Sequence, residues 1–415
     1  MLGLDEHGYS AAVLEKIVTA GAELKSFQVA AQMLEALAEV RISAQHVGRL
    51  TEQVGRDLAA ARDAEVARYR RRELEPHVET VPEIAVVETD GGRWKRRATG
   101  CGPGVHEPAW KEDKVACLVR MTGPEHAADP HPEPLECFRD RAQVAELVEQ
   151  MKGASGGSEP PEPEAEVPTQ RDACRRVGSG SADPPWPPER LARSCVATRA
   201  DSEAFGPMVA AEAQGRNFFA AARRAFLGDG GAWNWTIQRT WFPGFVAIAD
   251  FMHVLTYLFV AAGAVARGAA QQWKLYMEWM TACWQGRVDA VIAALAEWQQ
   301  RLGPIAPDEQ PGADDPRVVL ARTRVYLEHN RERMDYPRYR RLGLPVTSSA
   351  IESLIKEVNY RVKGSEKFWN ESGAEAILQV RAARLSDDAR LHHHLTHRLG
   401  NPYRYRHGSR KSRAA

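Results

Sequence analysis

The sequence predicts an α/β fold that carries an all-α insertion and follows a helical, helix-turn-helix-like N-terminal region. Three observations predict it. Strand, turn and helix signals alternate between residues 84 and 249. The pattern becomes purely helical from Phe251 to Leu302, and two helical periods joined by a tight connection lie near the start.

At 415 residues the chain has room for two or three domains, and 44% hydrophobic residues is ordinary for a globular protein. The 55 basic and 55 acidic residues balance, so any nucleic-acid surface must come from local segregation of charge. The longest apolar stretch, Val254 to Val265, is about a dozen residues, short of the ~20 that span a bilayer, and reads as a buried helix. The N-terminal MLGLDEHGYS lacks a secretory pattern, so a cytoplasmic location is expected. Six cysteines (Cys101, Cys117, Cys137, Cys174, Cys195, Cys283) contain no CxxC pair, which disfavours a zinc ribbon or a disulfide framework.

In the N-terminal region (1–75), Ser26 to about Tyr69 is helical, with Ala30, Leu34 and Leu37, then Val47, Leu50 and Val54, at helical spacings. Val40 to Ser43 is the connection, and Ser43 can cap a second helix from about Ala44 to Leu58. That helix would expose Gln45, His46, Arg49, Glu52, Gln53 and Arg56 to DNA. A plain packing hairpin remains the alternative.

The sheet region (80–250) begins with Ile84 to Val87, a β-branched run that ends at Glu88-Thr89-Asp90 and meets a turn at Gly91-Gly92. Arg93 to Thr99 and Lys114 to Met121 read as further strands, with Gly100, Gly102, Pro103 and Gly104 bending the chain between them. A helix is expected from about Leu135 to Met151, flanked by polar stretches, of which 153–188 reads as a mobile loop. Regular structure resumes near Ala204 with a helix to about Arg224, then the strand-to-turn signal Ala225 to Gly230 and a strand at Phe245 to Ala249.

The insertion (251–340) shows the periods Phe251, Leu255, Leu258, Ala262; Trp273, Met277, Met280, Trp284; and Val288, Val291, Leu295, Trp298. Seven of the eleven tryptophans lie between Trp233 and Trp298, where core packing is their commonest role and stacking on an unpaired base the alternative. Further helices follow (341–390), then a basic tail (391–415).

Asp90 and Asp229 both follow short apolar runs and precede glycine, placing two carboxylates at strand ends, where open α/β sheets gather ligands. In GLPVTSSAIESLIKEVNYRVKGSEKFW, Ile351, Leu354, Ile355 and Val358 form an apolar helix face, while Glu352, Lys356, Asn359 and Lys363 line another. Glu352 can complete a metal site there. It can equally close a Ser349–Glu352 capping box or pair with Lys356. Hard divalent ions prefer such oxygen ligands, and two ions roughly 4 Å apart can activate an attacking oxygen and stabilise a leaving one. The run His392-His393-His394 with His397 cannot converge on one ion, because successive helical residues point about 100° apart.

The strings ETDGGRW (88–94), HEPAWKEDKVA (106–116), LGDGGAWNW (227–235), DFMH (250–253) and RVKGSEKFW (361–369) resemble, in this order, bacterial insertion-sequence transposases of the Kra group, relatives of the Mutator-like DDE transposases. The resemblance runs from about Gly3 to Arg406 and is most specific from Tyr326 to Leu385. It implies a ribonuclease-H-like catalytic domain with the helical insertion ahead of the last acidic residue. Asp90, Asp229 and Glu352 are then the catalytic, metal-holding carboxylates, Asp229 being preferred to Asp250 because its Gly-Asp-Gly context matches the family position.

Asp250 and His253 fit the family's Cys-or-Asp, two residues, His motif. They would brace the site or orient DNA, or form a simple buried hydrogen-bonded pair, and neither is read as a metal ligand. Two magnesium (or manganese) ions are expected. Gln45, Arg49, Gln53, Lys356, Asn359, Lys363 and Lys367 are the candidate DNA contacts. Arg398, Arg404, Arg406, Arg410, Lys411 and Arg413 make a candidate phosphate-binding tail, or a solubilising one.

The expected activity is cleavage and transfer of double-stranded DNA at an element's terminal inverted repeats, by a homo-oligomer with no membrane partner. A catalytically inactive or truncated DNA-binding relative is the alternative, since little sequence precedes the helix-turn-helix. A host nuclease using the same carboxylates is a third reading.

Overall fold

The computed structural model describes residues 8–97, 100, 109–155, 186–364 and 367–397. The bend at Gly102 to Gly104, nearly all of the 153–188 loop and the basic tail beyond His397 lie outside these residues.

Three helices open the chain: α1 (Ala11–Glu23), α2 (Phe27–Ala38) and α3 (Ala44–Arg70). Each begins at a serine whose hydroxyl accepts a first-turn N–H: Ser10 from Val13, Ser26 from Val29 and, as the sequence predicts, Ser43 from His46. Two expectations change. Helix α1 was not foreseen, and α3 is no short recognition helix but runs 27 residues. It is held along that length because Leu14, Ile17, Val18, Leu34, Val47, Leu50 and Val54 form one core with Val380 and Ala383. The backbone of α3 closes on its neighbour so tightly that a Cβ on Gly55 would lie 2.2 Å from the Ala376 carbonyl oxygen.

The six-stranded mixed sheet is built from β1 (Ile84–Arg96), β2 (Ala109–Thr122), β3 (Glu189–Thr198), β4 (Arg223–Gly228), β5 (Val246–Ala249) and β6 (Phe368–Trp369). Its order is β3-β2-β1-β4-β5, with β6 pairing the far end of β1. The β1–β2 and β2–β3 pairs are antiparallel, while β1–β4 and β4–β5 are parallel.

The expected turn at Asp90-Gly91-Gly92 does not form. β1 continues through it, with Asp90, Gly91 and Gly92 opposite Val115, Lys114 and Asp113. The glycines mark close approach instead: a Cβ on Gly92 would sit 2.3 Å from Asn359 Nδ2 and 2.7 Å from Asp113 Oδ2.

Edge strand β3 was missed because its outer half is polar and follows a proline-rich stretch. The helix expected to reach Arg224 ends at Gly215 (α6, Ser202–Gly215), and Arg223 and Arg224 join β4 beside Ile84 and Ala85. The helix expected over 135–151 is two pieces, α4 (Glu136–Arg139) and α5 (Arg141–Ser155). Between them the Asp140 carboxylate accepts the N–H groups of Ala142 and Gln143.

After α7 (Ala232–Trp241) and β5 comes the helical insertion: α8 (Phe251–Val265), α9 (Ala269–Trp284), α10 (Val288–Leu302), α11 (Pro316–Asn330) and α12 (Tyr336–Arg341). It shares the sheet's core through Phe251, which meets Trp284 and Tyr336 edge-on with ring centroids 4.9 and 5.0 Å away. Trp235, Trp279 and Trp284 are buried, which settles core packing for these three. The chain then forms α13 (Ser349–Val362), β6, α14 (Glu371–Leu385) and α15 (Arg390–His397). Among the described residues no helix is long and apolar enough to cross a membrane.

Gly92→Ala should destabilise the protein by about 2 kcal/mol, because the obstacles are two buried side chains fixed by the sheet and α13. Gly91→Ala should stay within about 0.5 kcal/mol of wild type, since its new methyl meets only the tip of Glu112. Chemical denaturation of both variants checks this, and equal losses would refute the distinction.

Candidate active site

Glu88 and Asp90 share one face of β1, as strand alternation requires. Glu88 is 1% exposed, and its Oε2 accepts the N–H of Ile351 at 2.8 Å in the first turn of α13. The Ser348 N–H at the head of the same helix donates to Asp250 Oδ1, also at 2.8 Å. Two carboxylates from the sheet region therefore satisfy the start of α13 and set Glu352 beside β1.

The anticipated capping box rests on Ser349, whose side chain lies outside the described residues. The N-cap is Ser348, which makes no side-chain cap bond, and Glu352 Oε1 is buried without a hydrogen-bond partner among the described residues. Lys356 Nζ donates to Gln150 Oε1 at 3.0 Å.

Asp229 follows β4 directly. Its Oδ1 accepts from the Gly231 N–H at 2.7 Å and from Asn234 Nδ2 at 2.5 Å. Asn234, fully buried, accepts in turn from the Thr89 hydroxyl at 2.8 Å, so β1 orients the Asp229 carboxylate through α7. Tyr326 of the insertion donates to the Asp229 carbonyl oxygen at 3.0 Å. Gly230 has φ +100° and packs under the Tyr326 ring, where a side chain would clash.

Asp250 has a different job. It is fully buried and accepts four N–H groups: from Met252 and His253 as the N-cap of α8, from Ser348, and from His253 Nδ1 at 2.7 Å.

One oxygen or nitrogen each from Asp250, His253 and Glu352 lie within 4.8 Å of one another. Asp90 and Asp229 stand outside this tight group but share its field: His253 lowers the Asp90 pKa, while Asp229 and Asp250 raise it. Glu352 in turn feels Asp250, His253, Lys356 and Asp90. Burial, reinforced by like charges, pushes Asp90 up to about 7 and Glu88 up to about 8, and raises Glu352. Burial opposes the charge on His253, yet the Asp250 hydrogen bond and the Asp250, Asp90 and Asp229 charges lift it to about 10.

Four carboxylates, Asp90, Asp229, Asp250 and Glu352, thus act on one imidazolium, and Glu88 adjoins the last two. The mutual repulsion of these carboxylates and the orphaned Glu352 oxygen suit a hard divalent cation; Asp250 is saturated by four N–H groups, whereas Asp90, Asp229, Glu352 and Glu88 accept fewer.

The candidate DNA contacts divide. Gln45, Arg49 and Lys356 are exposed, whereas Gln53, Lys363 and Lys367 are half-buried. Lys367 Nζ donates to the Tyr360 carbonyl oxygen. Asn359 is not a surface residue: it is 7% exposed and packs over Gly92, because its face of α13 turns toward β1. The histidines near the C-terminus form no ligand cluster among the described residues, and His392 pairs with Glu15.

Sequence reasoning missed Glu88, Asp113, Asn234 and Tyr326. Strand alternation from Asp90 would have flagged Glu88. Asp113 fell one residue outside the strand expected from Lys114. No family model and no curated protein matches this chain.

Because the folded-state pKa values of Glu88, Asp90 and Glu352 are raised, folding favours their protonated forms. That stabilisation is full below the ordinary carboxylate range and disappears as pH rises through about 7 to 8. The contribution of His253 is full below its ordinary value of 6.5 and falls away as pH rises from there to about 10. In divalent-free buffer the melting temperature should therefore fall between pH 5 and pH 8.5, and a flat or rising profile would contradict this charge accounting.

Proposed function

We propose that this chain is a divalent-metal-dependent enzyme that cleaves and joins DNA, a DDE transposase with a ribonuclease-H-like catalytic domain. The observation that carries the reading is the gathering of carboxylates from β1, the end of β4 and the start of α13 into one field, with a buried Glu352 oxygen lacking a partner. The sheet supports it as well, since the strands bearing Asp90 and Asp229 are parallel neighbours. So does the ordered resemblance of the sequence strings to Kra-group transposases.

Asp90, Asp229 and Glu352 would hold magnesium or manganese, which when bound would activate a water or sugar hydroxyl and neutralise charge on the phosphate. The protein's own groups do the positioning. Glu88 and Asp250 anchor the helix that carries Glu352, and Asn234 orients Asp229. His253 is charged at neutral pH and has Nδ1 committed to Asp250, so Nε2–H is its remaining donor, suited to a phosphate oxygen. Gln45, Arg49 and Lys356 supply exposed contacts for duplex DNA.

Asp90→Asn, Asp229→Asn and Glu352→Gln should each reduce magnesium-dependent nicking of DNA carrying the element ends to background while leaving mobility-shift binding intact. A variant that still cleaves removes its residue from the site. Wild-type protein that binds but never nicks points to a binding-only role.

Magnesium should also raise the melting temperature at pH 8 by several degrees in wild type and by much less in Asp90→Asn. An equal rise in both would place the ion elsewhere.

A further inference from the structure

Asp113 lies on β2 directly opposite Gly92, on the sheet face that carries Glu88 and Asp90. It is fully buried, and among the described residues neither carboxylate oxygen has a hydrogen-bond partner. Asn359 approaches from α13, two turns beyond Glu352, with its Oδ1 likewise buried and without a partner. Both heads meet over the glycine: the position of a Gly92 Cβ is 2.3 Å from Asn359 Nδ2, 2.7 Å from Asp113 Oδ2 and 2.8 Å from Asp113 Oδ1.

Among the described residues no cation forms an ion pair with the carboxylate. Lys114, the nearest base, bonds to Glu112 at 2.5 Å and lies over the Trp233 ring at 4.2 Å. The largest other charges acting on Asp113 are Glu112 on its own strand and Asp90 on β1, both repulsive. Leaving three acceptors buried and unmet would cost several kcal/mol. A single proton removes the deficit. A neutral Asp113 carries one O–H to donate and one oxygen to accept, the complement of the Oδ1 and Nδ2–H that Asn359 presents over the same glycine.

We propose that Asp113 and Asn359 form a neutral acid–amide pair that locks α13 to β2 across Gly92 and so positions Glu352. The lock works at the far end of the helix whose start is held by Glu88 and Asp250, which leaves α13 pinned at both ends. Burial, together with Glu112 and Asp90, holds Asp113 protonated up to about pH 7, against the lowering effect of its own backbone N–H and Lys114. Asp113 is a positioning residue, not a ligand.

The existence of the pair is independent of the function proposed above, whereas its effect on cleavage rests on that reading, so the two are measured separately. Infrared difference spectra of the full chain at pH 6, wild type minus Asp113→Asn, should show a protonated carboxyl band. That band should shift in Asn359→Leu and vanish from wild type by pH 9. No band at pH 6, or a band indifferent to Asn359→Leu, overturns the pair.

For positioning, Asp113→Leu should lower the nicking turnover by roughly a hundredfold with little change in KM. Asp113→Asn, which keeps donor and acceptor without a titrating proton, should restore it and flatten the loss above neutral pH. Asp113→Asn as impaired as Asp113→Leu, or equal pH profiles in wild type and Asp113→Asn, would overturn the positioning role. If wild type does not nick, hydrogen exchange along α13 replaces turnover. Faster exchange in Asp113→Leu than in Asp113→Asn supports the lock, and equal rates sink it.

Discussion

The head of α13 rests on two buried carboxylates, and the geometry of the whole site depends on that contact. Glu88 takes the Ile351 N–H and Asp250 takes the Ser348 N–H. A helix start buried without such partners would leave several amide groups unpaired, at a cost comparable to the stability of a domain. Here the partners come from β1 and from the residue after β5, two strands that do not pair with each other. Seating α13 therefore depends on the central sheet, which brings Glu352 into the neighbourhood of Asp90.

The N-terminal helices are joined to the same element from the other side. Arg361 of α13 is 3% exposed, donates to the Gly21 carbonyl oxygen and lies between the rings of Phe27 and Trp369, 4.5 and 4.8 Å away. Arg381 of α14 reaches both Glu23 and the Glu357 carbonyl oxygen. Burying two arginines so near each other is unfavourable, and burial with the Arg381 charge pushes Arg361 down to about 10. The aromatic faces and backbone carbonyls offset that cost by replacing hydration with fixed partners. As a result α1 to α3 pack against the acid-bearing helix through these buried arginines.

What the sequence made legible was local. The Ser43 cap, the helical periods of the insertion and the Asp229 turn all depend on residues within a few positions, and each is found where the pattern put it. The Asp90 segment looked the same as Asp229 in one dimension, yet only Asp229 ends a strand. Gly91-Gly92 reads as a turn until the side chains of Asp113 and Asn359 are seen to occupy the space a Cβ would need. Strand β3, the length of α3 and the burial of Asn359 likewise depend on partners far away in the chain. For Glu352 the ambiguity was real in sequence, because capping and coordination call for the same residue type. In three dimensions its Oε1 is buried without a partner among the described residues, which favours coordination under the function proposed above.

The same accounting distinguishes the two aspartates that follow parallel strands. Asp229 and Asp250 occupy equivalent positions after β4 and β5, and proximity alone would favour Asp250, which belongs to the tightest cluster with His253 and Glu352. A carboxylate has about four lone-pair directions, however, and Asp250 accepts four N–H groups. Drawing it onto an ion would strip the caps from two helices and the partner from His253. Asp229 accepts through Oδ1 only among the described residues, which leaves Oδ2 available. Coordination capacity, not distance, thus assigns Asp250 to the framework, and under the function proposed above it leaves Asp229 for the metal-holding set. His253 then serves as the charged link between them, bonded to the first and drawn by the field of the second.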